Sequence, residues 1–347
     1  MSKVIVVGGA GFIGFHVVQR YVREGHEVHV LDNLSRNGAR ANVRKLDCLD
    51  ISRNNRCRFH HVDIRLAGEV AAVFAAVRPD LVVHEAAQVA VTTSVANPRL
   101  DFEVNAMGTL NVLEALRNSA PDAFMIYAST NKVYGSMEDV AVVEEAKRYR
   151  YRDYPEGLCE SRTLDFHSPY ACSKGAADQY VHDYSRIFGL RTAVFRQSCI
   201  YGTNQFGVED QGWIAWFTIA RVLGKPVTIY GTGKQVRDIL WVEDLVEAYD
   251  RAWRLGKGGE IYNMGGGSEN TLSLLELVEI LDELQPSTLP LQFGDVRPGD
   301  QPVYIANATK ARRELEWSPT MKPASGISRL HGWVKANRGE IAGVLES

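Results

Sequence analysis

The sequence predicts an α/β protein with a doubly wound parallel sheet and a smaller mixed α/β lobe after it. Two observations predict this fold. Strand-like apolar runs alternate with segments of helical periodicity, and a glycine-rich turn joins the first strand to the first helix. Such alternation implies parallel strands joined by right-handed crossovers. We therefore expect a sheet domain over residues 1–200, with returning segments near 227–262, and a substrate lobe mainly over 201–347.

The first unit of this alternation is a strand, a turn and a helix. The β-branched run Lys3–Val7 leads into Gly8-Gly-Ala-Gly-Phe-Ile-Gly14, and apolar residues recur at helical spacing over Phe12–Glu24. In such a turn the first glycine permits a tight bend, the second lets the backbone approach a pyrophosphate, and the third lets helix and strand pack closely. These positions are Gly8, Gly11 and Gly14, and the helix N-terminus that faces the anion begins with Phe12 and Ile13.

An acidic residue follows the second predicted strand, Glu27–Leu31. Asp32 lies eighteen positions after Gly14, where a carboxylate can accept hydrogen bonds from a ribose diol. Because a carboxylate repels a 2′-phosphate, the sequence favours NAD over NADP. The same loop continues with three further candidate cofactor contacts, Asn33, Ser35 and Arg36. Because of Arg36, NADP stays open as the alternative.

The alternation continues through the predicted sheet domain. Strands are predicted at Cys57–His61, Leu81–His84, Ala123–Ala128 and Arg191–Phe195, and helices at Ala67–Val77, Pro98–Asn118 and Ser168–Phe188. The segment Ser136–Asp165 is too long for an ordinary connection and mixes charged with aromatic residues, so it is either a functional loop or a solvated one. Beyond Tyr201 the pattern loosens into helices Trp213–Leu223, Asp244–Leu255, Ser273–Leu284 and Lys310–Glu316.

Three predicted strand ends carry small or polar residues. These are Ala86-Ala87-Gln88, Ser129-Thr130 and Ser198-Cys199. In a doubly wound sheet, ligands bind beyond the carboxyl ends of the strands, at the point where the strand order reverses. We therefore expect the three segments to line one crevice.

A tyrosine and a lysine one helical turn apart are the candidate catalytic pair. Tyr170 and Lys174 lie on the same face of their helix, and an ammonium near a phenol stabilises the phenolate and lowers its pKa. Tyr170 is then the candidate base, and Thr130 orients the reacting hydroxyl. Such a pair alone is an ordinary amphipathic feature. Together with the glycine turn and Ser129-Thr130, it predicts hydride transfer at a secondary alcohol.

Composition and charge exclude several classes of partner. The chain has 39 basic and 42 acidic residues, a net charge of −3 and no long basic run, so we expect neither a nucleic-acid nor a membrane partner. The apolar run at the N-terminus is broken by glycines and predicts no secretion signal. Five cysteines scattered without CxxC spacing indicate reduced thiols in the cytoplasm and no metal site: Cys48, Cys57, Cys159, Cys172 and Cys199.

Taken together, the motifs resemble one family over essentially the whole chain, the extended short-chain dehydrogenase/reductases that include the nucleotide-sugar epimerases and dehydratases. The resemblance rests on Val7–Gly14, Asp63-Ile64, His84–Gln88, Asn105–Thr109, Val133–Gly135, Tyr170–Lys174, Val242–Leu245 and Arg297–Asp300. It implies a Rossmann fold, a bound NAD, and a catalytic set of Thr130, Tyr170 and Lys174. It also implies a homodimer formed through the helices Pro98–Asn118 and Ser168–Phe188, although the second lobe could cover these helices instead.

The resemblance further implies individual contacts. Those to the cofactor come from Asp63, Ile64, Ala86, Ala87, Gln88, Asn105, Ser129, Tyr170 and Lys174, the last of which holds the nicotinamide ribose. Those to a nucleotide-sugar substrate come from Thr130, Asn131, Lys132, His167, Cys199, Arg237, Arg297 and Asp300. The two arginines match positions that hold diphosphate or ribose, which suits a guanidinium because it forms paired hydrogen bonds to phosphate oxygens. Either arginine could instead form a structural ion pair, and His167 and Cys199 could be packing residues.

Two departures from the family pattern narrow the reaction. Members that eliminate water across C5 and C6 carry Asp and Glu directly after the catalytic Thr, where this chain has Asn131 and Lys132. Neither an amide nor a protonated amine readily removes a carbon-bound proton, so the sequence favours epimerisation by transient oxidation. The segments around Ser129 and Tyr170 are similar to enzymes that invert C2 of a CDP-bound 3,6-dideoxyhexose. The alternatives are a C4-epimerase or other oxidoreductase of a different nucleotide sugar, such as a UDP-hexose, and a non-catalytic NAD-sensing regulator.

Overall fold

The computed structural model describes residues 1–51, 56–287, 289–296 and 300–346, with the backbone alone at 48–51. The strands are β1 (Lys3–Val7), β2 (Glu27–Asp32), β3 (Cys57–His61), β4 (Leu81–His84), β5 (Phe124–Thr130), β6 (Val142–Glu144), β7 (Tyr149–Tyr151), β8 (Arg191–Gln197), β9 (Cys199–Tyr201), β10 (Thr228–Tyr230), β11 (Val236–Trp241), β12 (Glu260–Met264), β13 (Thr271–Ser273), β14 (Gln292–Gly294) and β15 (Val303–Tyr304). The α-helices are α1 (Phe12–Arg23), α2 (Ala39–Ile51), α3 (Ala67–Val77), α4 (Val91–Ala96), α5 (Pro98–Phe102), α6 (Gly108–Ser119), α7 (Pro169–Phe188), α8 (Trp213–Leu223), α9 (Val242–Leu255), α10 (Leu274–Leu284), α11 (Thr309–Glu314), α12 (Pro323–Ala336) and α13 (Arg338–Glu346).

A seven-stranded parallel sheet forms the centre of the molecule. Its order is β3-β2-β1-β4-β5-β8-β12, and every neighbouring pair is parallel. The order reverses between β1 and β4, which makes the carboxyl ends of these strands the topological switch point. The predicted doubly wound parallel sheet is confirmed.

Alternating side chains of the central strands enter two cores, one on each face of the sheet. Val4 and Val6 of β1 belong to the core that contains residues of α1 and α9, whereas Ile5 and Val7 belong to the core with α3, α6 and α7. The four residues are fully buried. Because both faces are covered, the strands read as continuous apolar runs rather than alternating ones.

The second lobe is built around β11. This strand pairs in parallel with β9 and β15 and antiparallel with β13, while β10 pairs with β14. Helices α8, α10, α12 and α13 supply a third core. A fourth core joins Tyr151 of β7 to Val303 and Tyr304 of β15. The long segment 136–165 therefore contains the antiparallel hairpin β6–β7 and packs on the second lobe.

Two features of the structure refine the sequence-based ranges. Within 227–262 the returning elements are α9, which packs on α1, and β12, whereas β10 and β11 find their partners in the second lobe. The helix predicted over Pro98–Asn118 contains a π-helical turn at Glu103–Met107, after which Gly108 lies against the Ile64 side chain. A side chain at 108 would collide there, so the helix path depends on a tertiary contact. The boundary near residue 200 stays a prediction.

Candidate active site

The glycine turn brings β1, α1 and the loop after β4 into close contact. Gly8 has a φ of +83°, and a Cβ there would lie 2.5 Å from the Ala86 nitrogen. A Cβ on Gly14 would lie 2.2 Å from the Gly8 oxygen, so neither position accepts a side chain. At Gly11 a Cβ would meet only that same oxygen, at 3.2 Å. Space is therefore open in front of Gly11, the N-cap of α1, where the N–H groups that begin with Phe12 and Ile13 can bind an anion.

Asp32 ends β2 beside this turn. Its carboxylate accepts hydrogen bonds from the backbone N–H groups of Ala10, at 3.0 Å, and Leu34, at 2.8 Å. Burial raises the pKa of Asp32, and these hydrogen bonds act against that rise. A carboxylate oxygen accepts more than one hydrogen bond, so Asp32 holds the turn and can still accept from a ribose hydroxyl.

Two residues predicted to contact the cofactor, Asn33 and Asp63, hydrogen-bond to each other. Asn33 donates from Nδ2 to Asp63 Oδ2 at 3.1 Å and accepts at Oδ1 from the Ser35 backbone N–H at 3.1 Å. Arg65 hydrogen-bonds the Asp63 carboxylate and lowers its pKa to about 2. Arg36 is exposed, and Ile64 is buried. Asp63 is thus an ionised group after β3, the edge strand of the sheet.

Gln88 and Asn105 have their main hydrogen-bond partners inside the protein. Asn105 accepts from the Gln88 backbone N–H at 2.9 Å and donates to the Gln88 carbonyl at 3.0 Å. Its Nδ2 also donates to Asp101 at 3.1 Å and to Ser173 at 3.0 Å, and the Gln88 side chain donates to Asp101 at 2.8 Å. These bonds fasten the loop with Ala86 and Ala87 to α5 and α7. The backbone of that loop, rather than these two side chains, is what the structure presents beside the glycine turn.

Thr130 and Tyr170 meet at the predicted place. Thr130 ends β5, and Tyr170 lies in the first turn of α7, whose N-cap Ser168 accepts from the Ala171 N–H at 3.1 Å. The Thr130 side chain is close enough to Tyr170 to affect the pKa of its phenol, and both side chains are buried. Burial raises the pKa of Tyr170 to about 12, while the contact with Thr130 acts to lower it.

Lys174 lies one helical turn after Tyr170 on α7 and is buried. Its Nζ donates to the Ala128 carbonyl and lies 4.3 Å from the centre of the Tyr127 ring. Burial lowers the pKa of Lys174 to about 8, against the charges of Glu85, Asp178 and Asp101. In the protein alone, burial of the phenol outweighs its contact with Thr130, and the predicted lowering of the Tyr170 pKa by Lys174 stays a prediction.

A second group of predicted residues, the cationic cluster, consists of Lys132, Cys199, Arg237 and Asp300. Arg237 donates to Asp300 at 2.6 Å. This is the structural ion pair that the sequence allowed as the alternative to phosphate binding. Burial lowers the pKa of Lys132 to about 8; Arg237 lowers it further and Asp300 raises it. Cys199 accepts from Trp213 Nε1 at 3.4 Å, and burial raises the pKa of its thiol. Two cations against one carboxylate leave this cluster positive, which suits a phosphate group.

His167 and Asp300 line one cavity of about 350 Å³. Its walls come from the segment 136–151 and from the strand region around β15, with Ser136, Met137 and Tyr151 among them. His167 is exposed, and Ser168 rather than His167 caps α7. Arg297 lies outside the described residues, so its predicted contact stays a prediction.

Sequence reasoning missed several buried polar residues around the site. Asn131 donates to Gln301 at 3.3 Å, and the fully buried Gln301 also donates to the Gly135 carbonyl. Ser129, predicted to contact the cofactor, donates to Asp178 at 2.7 Å, and Asp178 pairs with Arg196 at 2.9 Å. Asp178 lies four residues after Lys174, so helical spacing alone could have placed it on the same face.

These observations fit a dinucleotide and a secondary alcohol. The open helix N-terminus suits a pyrophosphate, Asp32 suits a ribose, and the Thr130–Tyr170 pair lies at the switch point where the nicotinamide end would reach. Enzymes that combine this sheet with a Thr-Tyr-Lys cluster at its switch point are extended short-chain dehydrogenase/reductases. The chain belongs to the family described as GDP-mannose 4,6 dehydratase, whose model matches residues 5–330. It is an enzyme of the nucleotide-sugar epimerase and dehydratase class.

Two curated relatives span nearly the whole chain. The CDP-paratose 2-epimerase of Salmonella typhi is 43% identical over 341 residues, covering 96% of this chain and 99% of the relative. The dTDP-glucose 4,6-dehydratase of Salmonella typhimurium is 33% identical and covers 96% and 93%. Epimerases and dehydratases therefore both resemble this chain.

Solved structures agree with this fold. The dTDP-glucose 4,6-dehydratase of Streptomyces venezuelae, solved with NAD bound, has a TM-score of 0.83 at 30% identity and covers 99% of both chains. The UDP-glucose 4-epimerase of Thermotoga maritima, solved with UDP-glucose, has a TM-score of 0.82 at 28% identity and covers 97% of this chain and 99% of its own.

Within the parts of the chain that the structure describes, no three His, Cys, Asp or Glu side chains are grouped so that they could hold a metal ion. No helix among residues 1–51, 56–287, 289–296 and 300–346 is long and apolar enough to cross a membrane.

Proposed function

We propose that this enzyme is an NAD-dependent epimerase that inverts C2 of a CDP-bound 3,6-dideoxyhexose, interconverting CDP-paratose and CDP-tyvelose. This choice of substrate is supported by the 43% identity to the CDP-paratose 2-epimerase of Salmonella typhi across nearly the full length of both chains. The observation that carries the chemistry is the buried contact between Thr130 and Tyr170 at the switch point.

The proposed roles follow from the geometry. Thr130 orients the C2 hydroxyl, and Tyr170 takes the hydroxyl proton as the carbinol is oxidised and returns it as the ketone is reduced. Lys174, held by the Ala128 carbonyl, supplies positive charge near the reacting groups. Bound NAD would supply the hydride acceptor and donor. For inversion the sugar must present the opposite face of its ketone between the two hydride transfers.

The residues after Thr130 support epimerisation over elimination. The side-chain amide of Asn131 donates a hydrogen bond to Gln301, and an amide does not act as a base. Lys132 has a pKa of about 8, so the ammonium still predominates at neutral pH. Neither side chain is a base suited to removing a proton from carbon, which the elimination of water requires.

The cationic cluster supports a diphosphate-linked substrate. Lys132 follows Thr130 by two residues, so phosphate bound at Lys132 and Arg237 would lie close to the sugar at Thr130. His167 and Asp300 line the cavity beside this cluster and are the proposed contacts to the remaining sugar hydroxyls.

A panel of CDP-, UDP-, GDP- and TDP-sugars, incubated with the enzyme and followed by NMR, tests the proposal. We expect conversion at C2 of the CDP-3,6-dideoxyhexoses without net formation of NADH. Inversion at C4 of a UDP-hexose would support the C4-epimerase alternative, and net NADH would support a dehydrogenase. Binding of NAD without turnover of any sugar nucleotide would support the NAD-sensing regulator.

We also propose a homodimer in the cytoplasm. The outer surface of α5, the π-helical turn and α7 exposes large apolar side chains, which typically mark a protein interface: Phe102, Met107, Tyr180, Ile187 and Phe188. Cys159, Cys172 and Cys199 are free thiols, as is typical of a reducing compartment.

A further inference from the structure

We propose that Asp178 is a positioning residue, whose buried carboxylate holds Thr130 and Tyr170 in register for the reaction. This inference rests on the proposed function, because that function makes Thr130 and Tyr170 the groups that act on the substrate. It assigns Asp178 no contact with substrate or cofactor.

The carboxylate joins the two elements that carry the reacting groups. Asp178 lies on α7, two helical turns after Tyr170, and is fully buried. Its Oδ2 accepts from the Ser129 hydroxyl at 2.7 Å, and Ser129 directly precedes Thr130 at the end of β5. One side chain of the Tyr170 helix is therefore bonded to the residue next to Thr130.

The same carboxylate fixes the chain on the other side of Thr130. Arg196 of β8 donates to both oxygens of Asp178 at 2.9 Å and to the Tyr134 hydroxyl at 3.1 Å. Tyr134 closes the 3-10 turn that follows Thr130, and it donates to Asn263 Oδ1 of β12 at 2.7 Å. Ser129 before Thr130 and Tyr134 after it are thus tied to one Asp178–Arg196 pair.

The chemistry of this pair suits positioning. A planar guanidinium that bonds both oxygens of a carboxylate leaves the pair little rotational freedom. A buried ion pair contributes little net stability compared with apolar residues of similar size, whereas its hydrogen bonds have a fixed direction. The charge of Asp178 also acts on Lys174 one helical turn away, where it favours the ammonium form.

The test removes one hydrogen bond and leaves the ion pair intact. Ser129→Ala deletes the hydrogen bond from Ser129 to Asp178. We choose it over Asp178→Asn because that substitution would leave Arg196 buried without a counter-charge. Thr192→Val is the matched control: Thr192 of β8 donates to the Val181 carbonyl of α7 at 2.8 Å, a buried hydroxyl bond between β8 and the same helix. Ser129→Thr restores the hydroxyl.

Two readouts are compared in the NAD-bound protein. One is the fluorine NMR resonance of 3-fluorotyrosine at Tyr170, assigned by its loss in Tyr170→Phe, which needs no substrate. The other is kcat and KM for CDP-paratose. We expect Ser129→Ala to shift the Tyr170 resonance and to lower kcat about tenfold with KM little changed. Thr192→Val should do neither, and Ser129→Thr should restore both.

The inference is overturned if Ser129→Ala leaves the Tyr170 resonance where it is in the unsubstituted protein, or if Thr192→Val shifts it equally. A wild-type protein that does not turn over CDP-paratose refutes the proposed function instead. The resonance still decides the positioning role in that case, so the two failures are distinguishable.

Discussion

At the residue scale, burial determines the pKa values of the reacting groups more than the charges around them do. Burial raises the pKa of Tyr170 to about 12 and lowers that of Lys174 to about 8, so at neutral pH the protein alone holds a neutral phenol and an ammonium. The contact with Thr130 favours the phenolate. A further positive charge next to the phenol, as a bound nicotinamide would bring, shifts the balance the same way.

Tyr170→Phe removes the proposed acid-base group while keeping the ring. We expect kcat to fall by about 10²–10⁴-fold, the usual contribution of a positioned acid or base, with NAD affinity retained because the ring still fills its buried place. Steady-state kinetics and a NAD titration measure the two effects. Tyr180→Phe, on the exposed side of the same helix, is the control and should keep full activity. Full activity in Tyr170→Phe would contradict the assignment.

Glu85 gives the folded protein a pH-dependent stability. Burial raises its pKa to about 7 from 4.5, against the hydrogen bond from Tyr249 and the charge of Lys174. Between these pH values the folded state keeps a proton that the unfolded state has lost, so stability falls as the pH rises through this window.

Glu85→Gln removes this titration. We expect the wild type to lose roughly 1–3 kcal/mol of unfolding free energy relative to Glu85→Gln between pH 5 and pH 8. Urea denaturation at both pH values measures the difference, with the exposed Glu69→Gln as the control. Parallel pH curves for wild type and Glu85→Gln would show that Glu85 is ionised throughout.

At the element scale, the unit β1–turn–α1 depends on a glycine that no other residue can replace. A Cβ on Gly14 would lie 2.2 Å from the Gly8 oxygen and 2.7 Å from the Gly9 Cα, both of them backbone atoms that cannot rotate away. Gly332 in α12 has nothing within 4 Å of the corresponding point. The two glycines therefore respond oppositely to the same substitution.

Gly14→Ala should lower the melting temperature and abolish measurable NAD binding, because α1 must move away from β1. Gly332→Ala should stabilise the protein by about 0.5–1 kcal/mol through helix propensity, with NAD binding unchanged. Thermal denaturation and a NAD titration of both variants check this. Unchanged NAD affinity in Gly14→Ala would contradict the proposed cofactor site.

Local patterns account for how much of the fold could be predicted. The spans of β1, β4 and α3 agree with the sequence-based ranges to the residue, because their apolar runs are bounded by turn signals. The span of β3 also agrees, although its sequence is mixed rather than apolar. The strands β9, β10, β13 and β15 have two or three residues each, too few to show any periodicity. The hairpin β6–β7 was likewise hidden in a segment expected to be a loop.

The site residues likewise divide into those whose positions could be predicted from the sequence and those whose partners could not. The meeting of Thr130 and Tyr170 could be predicted because each lies at the end of an element that a parallel sheet brings to the switch point. The partners of Asn105, Ser129 and Arg237 could not, because they are set by side chains distant in the sequence. A motif gives the position of such a residue, whereas its hydrogen bonds decide whether it faces a ligand or the protein.

At the scale of the whole molecule, the exposed apolar surface of α5 and α7 predicts association. Phe102→Glu places a charge on this surface and should convert a dimer into a monomer at micromolar concentration, as measured by sedimentation velocity. Leu255→Glu is the control, because Leu255 is also 50% exposed but lies at the end of α9 on another part of the molecule. A monomeric wild type, or a dimer that persists in Phe102→Glu, would contradict the proposed interface.

The whole molecule also explains why both lobes are needed. The sheet supplies Thr130, Tyr170 and the glycine turn, while Arg237 and Asp300 come from the second lobe. Lys132 connects the two groups, since it follows Thr130 and is affected by the charges of Arg237 and Asp300. A nucleotide sugar bound across both would have its diphosphate in the second lobe and its sugar at the switch point.

CDP-paratose labelled with deuterium at C2 tests the central claim most directly. Incubated with the purified enzyme in ordinary water and followed by NMR, it should yield CDP-tyvelose that keeps the deuterium at C2, because the same hydride leaves and returns within the site. Loss of the label to solvent, or no inversion at C2, would contradict the account.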